Sequence, residues 1–287
     1  MVTILVTGGN GQLAQSIKSV SDSIQGFQFI YSNSKDLDIS SEAQINTFFS
    51  NHKIDWCINC AAYTAVDKAE TEFNLAQKIN SEGAKNLALA CKKYNAKLIH
   101  ISTDFVFDGS KLLPYKETDA TNPINAYGQT KLNGENEIHL NLDTYFIIRT
   151  SWLYSEFGNN FMKTMLRLAS ERDELNIVND QTGTPTYAVD LATVILKIIR
   201  LNSTKYGLYH YSNDGIATWY DFAKAIFEIN NVSIATHPIP STAFPTPAKR
   251  PKFSVLEKSK IKNTFDLEIP HWIQSLQTSS YRLAKIS

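Results

Sequence analysis

The chain has 287 residues, above the roughly 250 at which a single hydrophobic core usually stops growing, so the sequence predicts one large domain or two unequal lobes. Its 28 basic and 28 acidic residues leave no net charge, so no overall positive field attracts nucleic acid or an anionic membrane. The 43% hydrophobic and 20% charged residues are typical of a soluble globular protein, and three cysteines indicate a reducing compartment, by default the cytoplasm.

The first half of the chain alternates strand-like and helix-like patterns. The opening run MVTILVTGGNG has few apolar residues and no basic leader, so it predicts a strand and not a signal peptide. No window approaches the roughly 18 apolar residues of a membrane span. The alternation predicts an α/β fold of the Rossmann type, with a doubly wound parallel sheet. The predicted strands are 3–8, 27–32, 55–61, 97–102 and 145–151, and the predicted helices are 11–20, 41–51, 72–94 and 124–140.

After Trp152 the pattern loosens and predicts a smaller C-terminal lobe that binds substrate. A loop rich in Gly, Thr and Pro covers 178–187, and the five prolines of 238–254 discourage regular structure. Helices are predicted at 159–171, 187–200 and 218–229. The predicted domains are a dinucleotide-binding domain of 1–158, to which 187–212 return, and a second lobe of 159–186 and 213–287.

Cys57 and Cys60 form a CxxC pair, a spacing found in metal and redox motifs. They lie in DWCINCAA, an apolar run that predicts a buried strand, where residues three apart point to opposite faces. No second CxxC pair or cluster of histidines accompanies them. We therefore interpret the pair as structural and predict no metal site.

The segment VTGGNGQLA (6–14) joins the first predicted strand to the first predicted helix. Gly8 would permit a tight turn, Gly11 would let the backbone approach a pyrophosphate, and Ala14 would let the helix pack closely on the sheet. The start of the helix supplies unpaired N–H groups to the phosphates. The segment predicts a dinucleotide site, and the alternative is a plain glycine-rich turn.

The end of the second predicted strand bears on the choice of cofactor. An acidic residue there commonly binds the ribose 2′-hydroxyl of NAD. Here Ser32, Asn33, Ser34 and Lys35 precede Asp36, and such side chains tolerate a 2′-phosphate better than a carboxylate does. We therefore predict a preference for NADPH, with some use of NADH.

Tyr127 and Lys131 are one helical turn apart in NPINAYGQTK and share a face. A cation about 4 Å from a phenolate stabilises it by roughly 1–4 kcal/mol, so we predict that Lys131 lowers the Tyr127 pKa toward the range of a general acid. The alternative is a solvated helix face. The segment HISTDFVFDG favours the catalytic interpretation, because it follows the fourth strand and places Ser102, Thr103 and Asp104 where ligands bind in open α/β sheets.

The glycine loop, the hydroxyl at a strand end and the YxxxK pair, in this order, resemble the extended short-chain dehydrogenase/reductase superfamily. The resemblance implies that Thr103, Tyr127 and Lys131 are the catalytic triad. Thr103 would hydrogen-bond the reacting oxygen, Tyr127 would donate the proton, and Lys131 would hold the nicotinamide ribose.

Further motifs resemble those of the dTDP-4-dehydrorhamnose reductases from the first strand to about residue 272. That family reduces the 4-keto group of dTDP-4-dehydro-L-rhamnose with NADPH or NADH, and the resemblance makes the second lobe its sugar-nucleotide site. The motifs are CAAYTAVDKAE (60–70), STDFVFDG (102–109), RTSWLYS (149–155), NNFMKTMLRLA (159–169), DQTGTPT (180–186) and RPKFS (250–254).

The resemblance also assigns residues to the two ligands. An indole face suits the apolar side of a deoxysugar, and a guanidinium suits a diphosphate. The expected cofactor residues are Gly8, Gly11, Gln12, Leu13, Ser32, Asp38, Ile39, Ala61, Ala62, Tyr63, Thr64, Tyr127 and Lys131. The expected substrate residues are Thr103, Asp104, Phe105, Trp152, Gln181 and Arg250.

The chain departs from the family pattern at four positions. Phe105 replaces a common tyrosine, which removes a hydroxyl near the pocket, and Ala14 replaces a common glycine. Some relatives dimerise around magnesium through two acidic residues, and Ser16 and Val189 stand at the matching positions. Neither side chain carries a carboxylate, so we expect a monomer or a homodimer without a bridging metal.

Two other functions remain open at this stage. One is a dehydratase, an epimerase or a reductase of another dTDP-4-keto-6-deoxysugar; related 4,6-dehydratases carry Asp-Glu after the threonine, and here Asp104 is followed by Phe105. The other is a non-catalytic NADP-binding regulatory subunit, against which the intact Thr103, Tyr127 and Lys131 argue.

Overall fold

The structure, a computed structural model, describes residues 1–21 and 24–286, so residue 287 of the predicted second lobe lies outside it. The strands are β1 (Val2–Thr7), β2 (Phe27–Ser32), β3 (Trp56–Asn59), β4 (Lys97–Thr103), β5 (Tyr145–Thr150), β6 (Leu153–Tyr154), β7 (Glu174–Val178), β8 (Thr182–Gly183), β9 (Thr186–Tyr187), β10 (Gly207–His210), β11 (Ala217–Thr218) and β12 (Ala235–Ile239). The α-helices are α1 (Gln12–Ser21), α2 (Glu42–Asn51), α3 (Val66–Ala69), α4 (Phe73–Gln77), α5 (Gly83–Tyr94), α6 (Ala126–Asn141), α7 (Phe161–Glu171), α8 (Ala188–Arg200), α9 (Trp219–Ile229), α10 (Ser259–Phe265) and α11 (Trp272–Ile286).

A six-stranded parallel sheet lies at the centre, in the order β2–β1–β3–β4–β5–β10. This arrangement confirms the predicted α/β fold with a parallel sheet. Because β2 lies on one side of β1 and the later strands lie on the other, the strand order reverses at β1. Ligands bind in such sheets at the carboxyl ends of the strands next to this reversal.

Two hydrophobic cores cover the two faces of the sheet. Alternation along β1 sends Ile4 to one core, with α1, α8 and α10, and Leu5 to the other, with α2, α5 and α6. The same alternation separates the CxxC pair, because Cys57 belongs to the second core and Cys60 packs against the first. Burial raises the pKa of the Cys60 thiol, as expected of a structural cysteine.

A third core joins β7, α7, α9 and α11 in the C-terminal part of the chain. The predicted domain boundaries remain a prediction, and one helix crosses them: α10 packs Ile261 and Phe265 against the sheet, although it lies within 213–287. The prolines of 238–254 were predicted to discourage regular structure, but Pro238 lies in β12, which pairs with β7 in a two-stranded sheet. An edge position leaves the missing N–H of a proline without consequence. Over the described ranges, no helix is long and apolar enough to cross a membrane.

The helix predicted at 72–94 is interrupted by a π-helical turn, Lys78–Glu82, between α4 and α5. The turn places Asn80 beside the segment that follows β3. Its side chain accepts a hydrogen bond from Tyr63 N (2.8 Å) and donates to Tyr63 O (3.1 Å) and Thr130 Oγ1 (3.0 Å). The irregular turn therefore connects the end of β3 to α6, which is consistent with the frequent position of π turns at functional sites.

Gly134 of α6 lets that helix approach the π turn, and its replacement tests the contact. A Cβ on Gly134 would lie far inside van der Waals distance of Asn80 O. Helix propensity alone favours alanine by about 1 kcal/mol, but we expect Gly134→Ala to lower the free energy of unfolding by about 1–3 kcal/mol. Urea denaturation measures it. Asn136→Ala, at an exposed position on the same helix, is the control and should be neutral or stabilising; a neutral Gly134→Ala would contradict the contact.

Candidate active site

A cleft of about 940 Å³ opens at the carboxyl ends of β1, β3, β4 and β5. It brings together residues that the sequence placed in separate motifs. The predicted site residues on its walls are Gly8, Gly11, Gln12, Leu13, Asp38, Ile39, Ala61, Ala62, Thr64, Thr103, Asp104, Phe105, Tyr127, Lys131, Trp152 and Arg250.

Three predicted site residues do not line this cleft. Ser32 is buried at the end of β2, where its carbonyl accepts a hydrogen bond from Gly9 N (2.9 Å). The hydroxyl of Tyr63 donates to Glu72 Oε2 (2.6 Å). Gln181 lines a neighbouring cavity. None of the three could be separated from the true wall residues by sequence position alone.

The glycine turn after β1 has the geometry of a close backbone approach. Gly8 has a φ of +66°, and a Cβ there would lie 2.8 Å from Ala61 N. Gly11 N donates to Gly8 O (2.8 Å), which closes the turn just before α1 begins at Gln12. The turn and the first N–H groups of α1 therefore face the cleft together, and this arrangement fits a phosphate.

Thr103, Asp104 and Tyr127 meet because the start of α6 packs tightly against the turn after β4. A Cβ on Gly128 would overlap Phe105 O, so only glycine permits this approach. Thr103 Oγ1 donates to Asp104 Oδ1 (3.1 Å), and the Thr103 side chain lies beside the Tyr127 hydroxyl. The Phe105 ring contacts the Tyr127 ring edge-on at 5.9 Å.

The predicted lowering of the Tyr127 pKa was wrong for this structure. Burial raises the pKa of Tyr127 to about 12, and the Thr103 hydrogen bond only partly opposes the rise. The spacing of the pair had suggested an ammonium directed at the phenol, but Lys131 Nζ donates to Ile101 O (2.6 Å). Burial also raises the pKa of Asp104 to about 6, against the hydrogen bonds of Ser254 and Thr103.

Lys131 lies at the base of the cleft and is only 2% exposed. Burial lowers its pKa to about 8, while the carboxylate of Glu135, one turn further along α6, acts in the opposite direction. Glu135 forms a buried ion pair with Arg149 of β5, with Arg149 Nη2 at 2.6 Å from Glu135 Oε2, and Ser102 Oγ donates to Glu135 Oε1. No motif indicated this pair in advance, because its members lie on different elements.

An aromatic stack forms another wall of the cleft. Trp152 has a φ of +46°, which is unusual for a bulky residue, and its ring stacks on Trp219 with centroids 3.6 Å apart. A Cβ on Gly183 would lie 2.7 Å from the Trp152 ring. Trp219 Nε1 donates to Gln181 Oε1 (3.2 Å), so the stack connects the cleft to Gln181.

The neighbouring cavity, of about 440 Å³, shares Arg250 with the cleft. The Arg250 guanidinium forms two hydrogen bonds with Asp67, at 3.0 and 2.8 Å. This pairing holds the pKa of Asp67 below its ordinary value. Arg250 therefore presents an oriented guanidinium where the two cavities join.

Comparison with known proteins identifies the family to which this chain belongs. Residues 2–284 match the family model described as RmlD substrate binding domain. A dTDP-4-dehydrorhamnose reductase from Aggregatibacter actinomycetemcomitans is 39% identical over 288 residues, covering 96% of this chain and 98% of the relative. The chain belongs to the dTDP-4-dehydrorhamnose reductase family.

Solved structures of the dTDP-4-dehydrorhamnose reductase family share the whole fold. The crystal structure of the reductase from Clostridium acetobutylicum is 44% identical, with a TM-score of 0.95 over 99% of this chain and 100% of that chain. The Bacillus anthracis reductase, solved in complex with NADP, is 39% identical, with a TM-score of 0.95 over 98% and 100% of the two chains. The predicted resemblance to this family is thus confirmed.

The departures of this chain from the family pattern are all accommodated. Ala14 is fully buried where α1 packs on the sheet, and the Phe105 ring lies against Tyr127. Ser16 is buried and donates to Gln12 O (2.8 Å), and Val189 packs into the third core. Both of these side chains are buried.

Several wall residues of this family member were missed from the sequence. Trp219 is the most important, and the Thr218–Asp221 capping box that begins α9 was its available signal. Most of the others lie within the quoted motifs, but a motif does not show which of its residues face the cleft. They include Asn10, Cys60, Val66, Ile79, Ile101, Thr150, Ser151, Leu153, Gly158 and Asn159, whereas Ser102 was predicted to lie there.

Proposed function

We propose that this protein reduces the 4-keto group of dTDP-4-dehydro-L-rhamnose with NADPH and forms dTDP-L-rhamnose, the last step in making that nucleotide sugar. The observation that carries the proposal is the meeting of Thr103, Tyr127 and Lys131 in one cleft, between a glycine turn and an indole stack. Family membership over residues 2–284 supports it.

The residues of the cleft fit a dinucleotide. Gly8 leaves the backbone bare where a Cβ would collide with Ala61, and the start of α1 turns N–H groups toward the same space. Bound NADPH supplies the hydride that reaches the sugar C4 carbon. Lys131 holds the nicotinamide ribose, and Ala61, Ala62 and Thr64 line the path from the glycine turn to it.

Tyr127 donates the proton to the developing C4 alkoxide. A pKa of about 12 keeps its hydroxyl protonated at neutral pH, and the alkoxide is the stronger base. The Thr103 hydroxyl hydrogen-bonds the same oxygen and orients the carbonyl between the Tyr127 hydroxyl and the hydride donor. The step leaves a tyrosinate, which solvent reprotonates through the open cleft.

The sugar nucleotide lies across the other half of the site. Trp152 and Trp219 offer an apolar face to the deoxysugar, and Arg250 offers a guanidinium to the diphosphate. The cavity that Arg250 shares with Gln181 then receives the thymidine. Asp104 is close enough to Thr103 to bind a sugar hydroxyl beside the reacting carbon.

The choice of cofactor yields a separate prediction. Asn33 and Ser34 line the cleft beyond β2, where a ribose 2′-phosphate is expected. A carboxylate placed there repels the phosphate, so Ser34→Asp should lower kcat/KM for NADPH by roughly tenfold or more and spare NADH. Steady-state kinetics with both cofactors measure it. Ser50→Asp, exposed on α2, is the control; parent kcat/KM values that favour NADH would contradict the proposed preference.

The decisive experiment is NADPH oxidation with enzymatically generated dTDP-4-dehydrorhamnose, followed by NMR identification of the product. We expect dTDP-L-rhamnose. A product with another configuration at C4, or turnover of only another dTDP-4-keto-6-deoxysugar, would replace the proposed substrate. Cofactor binding without turnover of any keto sugar would instead indicate a regulatory subunit.

We also propose a cytoplasmic location and a monomer or homodimer without a bridging metal. The three free cysteines support the first, since two of them are buried and their thiols are preserved in a reducing compartment. The buried Ser16 and Val189 support the second. Size-exclusion chromatography with and without magnesium tests the oligomeric state.

A further inference from the structure

A row of buried polar side chains connects Lys131 to three neighbouring strands. Thr7 of β1, Asn59 of β3 and His100 of β4 are each at most 2% exposed. Thr7 Oγ1 donates to Asn59 Oδ1 (2.7 Å), Asn59 Nδ2 lies 3.0 Å from His100 Nδ1, and His100 Nε2 lies 3.4 Å from Lys131 Nζ. The proposed function uses Lys131 and leaves the other three without a role.

The direction of these hydrogen bonds follows from one backbone group. Ala61 N–H donates to Asn59 at 3.2 Å, and a backbone N–H can only donate. The atom of Asn59 that faces Ala61 is therefore the amide oxygen, and the amide nitrogen faces His100. Because that nitrogen donates, His100 Nδ1 must accept with its lone pair.

The tautomer of His100 is then determined. Burial lowers the pKa of His100 well below its ordinary value, and the nearby Lys131 adds to this, so the imidazole is neutral. A neutral ring with a lone pair on Nδ1 carries its proton on Nε2. That N–H points at Lys131 Nζ. It disfavours the ammonium, which predominates at pH 7 because the Lys131 pKa is about 8, and it donates a hydrogen bond to the amine that forms when Lys131 loses a proton.

We propose that His100 is a positioning residue for Lys131, held by Asn59 as the Nε2–H tautomer so that its Nε2–H faces Lys131 Nζ and favours the amine over the ammonium. Lys131 Nζ in turn donates one N–H to Ile101 O (2.6 Å) and keeps its other N–H bonds for the cleft. The row thus orients the one donor that the proposed function assigns to the nicotinamide ribose, and the inference rests on that function only for this last role.

The groups around Lys131 have opposite effects on the balance between its ammonium and amine forms. Burial favours the neutral amine. Glu135 on the same helix and Cys60 after β3 favour the ammonium. Tyr127, one turn earlier on α6, is uncharged at neutral pH. The Nε2–H of His100, directed at Nζ, acts in the same direction as burial and opposes Glu135 and Cys60.

The first test observes the tautomer directly and needs no substrate. The protein is labelled with ¹⁵N-histidine, and the His100 ring is assigned by its loss in His100→Leu. We expect an unprotonated Nδ1 and a protonated Nε2 in the long-range ¹⁵N–¹H spectrum at pH 7. A proton on Nδ1, in either a neutral ring or an imidazolium, overturns the proposal.

The second test measures the titration of Lys131 from its ¹³Cε shift, assigned with Lys131→Met. Loss of the donor in His100→Leu should raise the midpoint by about one pH unit, the size of one hydrogen bond. His139→Leu, which removes an exposed histidine of the same helix, should leave it unchanged. A midpoint that stays or falls in His100→Leu means that the ring does not donate to Lys131, and the proposal fails.

Asn59→Asp provides a matched reversal, since the two side chains have the same shape. Its carboxylate accepts from Ala61 N–H and also from the ring, so the proton should move to His100 Nδ1 and the Lys131 midpoint should rise. A ring that keeps a bare Nδ1 beside the introduced carboxylate contradicts the assigned direction. If the proposed reductase activity were not found, all three measurements would still test the proposal, because none depends on turnover.

Discussion

Replacement of Tyr127 by phenylalanine lowers kcat for NADPH-dependent reduction of the dTDP-keto sugar by about 100- to 10,000-fold. This is the usual contribution of a positioned general acid, and Thr103 still polarises the carbonyl oxygen in the variant. The ring keeps its contact with Phe105, so the fold and the cleft are retained. Steady-state assays of purified parent and variant at saturating NADPH measure the change.

The control for this prediction is Tyr145→Phe. Tyr145 lies at the amino end of β5, away from the cleft at the carboxyl ends of the strands, and its hydroxyl hydrogen-bonds His139 (2.7 Å). Tyr145→Phe removes a hydroxyl that also has a side-chain partner but does not line the cleft, so kcat should remain at the parent value. NADPH binding, followed by fluorescence, should be similar in all three proteins. Equal rates for the parent and Tyr127→Phe would remove Tyr127 from the role of acid.

Arg149→Met should lower the free energy of unfolding by about 3–5 kcal/mol. Arg149 and Glu135 are 4% and 6% exposed, so the variant leaves an uncompensated carboxylate inside the protein. The His210 ring, 3.5 Å from Arg149 Nη1, is neutral chiefly because burial depresses its pKa; burial persists in the variant, so the ring does not replace the lost cation. Urea denaturation at pH 7 measures the loss.

Two further variants separate burial from charge. Arg167→Met breaks the exposed pair of Arg167 with Glu171, which is 59% and 49% exposed, and should cost only about 0.2–1 kcal/mol. The double variant Arg149→Met/Glu135→Met removes both buried charges and should recover much of the stability lost in Arg149→Met. Equal losses for Arg149→Met and Arg167→Met would show that water reaches Glu135.

The parts of the fold that the sequence predicted are those with strong local patterns. Strand–helix alternation through 145–151 gave the first five strands of the central sheet, and the glycine turn gave the cofactor end of the cleft. The strands β7 and β10 and the helices α10 and α11 were not predicted. Their apolar patterns are short, and their places depend on packing against elements far away in the chain.

The contacts within the site were the least predictable part. The spacing of Tyr127 and Lys131 showed that they share a face of α6, but it could not show that the amine turns to Ile101 O. Likewise, Trp152 was expected to offer a free indole face, and Trp219 covers one side of it from a helix 67 positions later. Such pairings depend on three-dimensional proximity and leave no periodic trace in one sequence.

The π-helical turn at Lys78–Glu82 makes the number of residues in this segment a functional quantity. A π turn accommodates one more residue per turn than regular α-helix, so the run from Phe73 to Tyr94 has one residue in excess of a regular helix. Deleting one residue of the turn would give a regular helix in which α4 and α5 keep their register, because a π turn takes up a single extra residue. Asn80 would then leave the wide turn and lose its hydrogen bonds to Tyr63 and Thr130, so a shortening that improves the helix would break the connection between the end of β3 and α6.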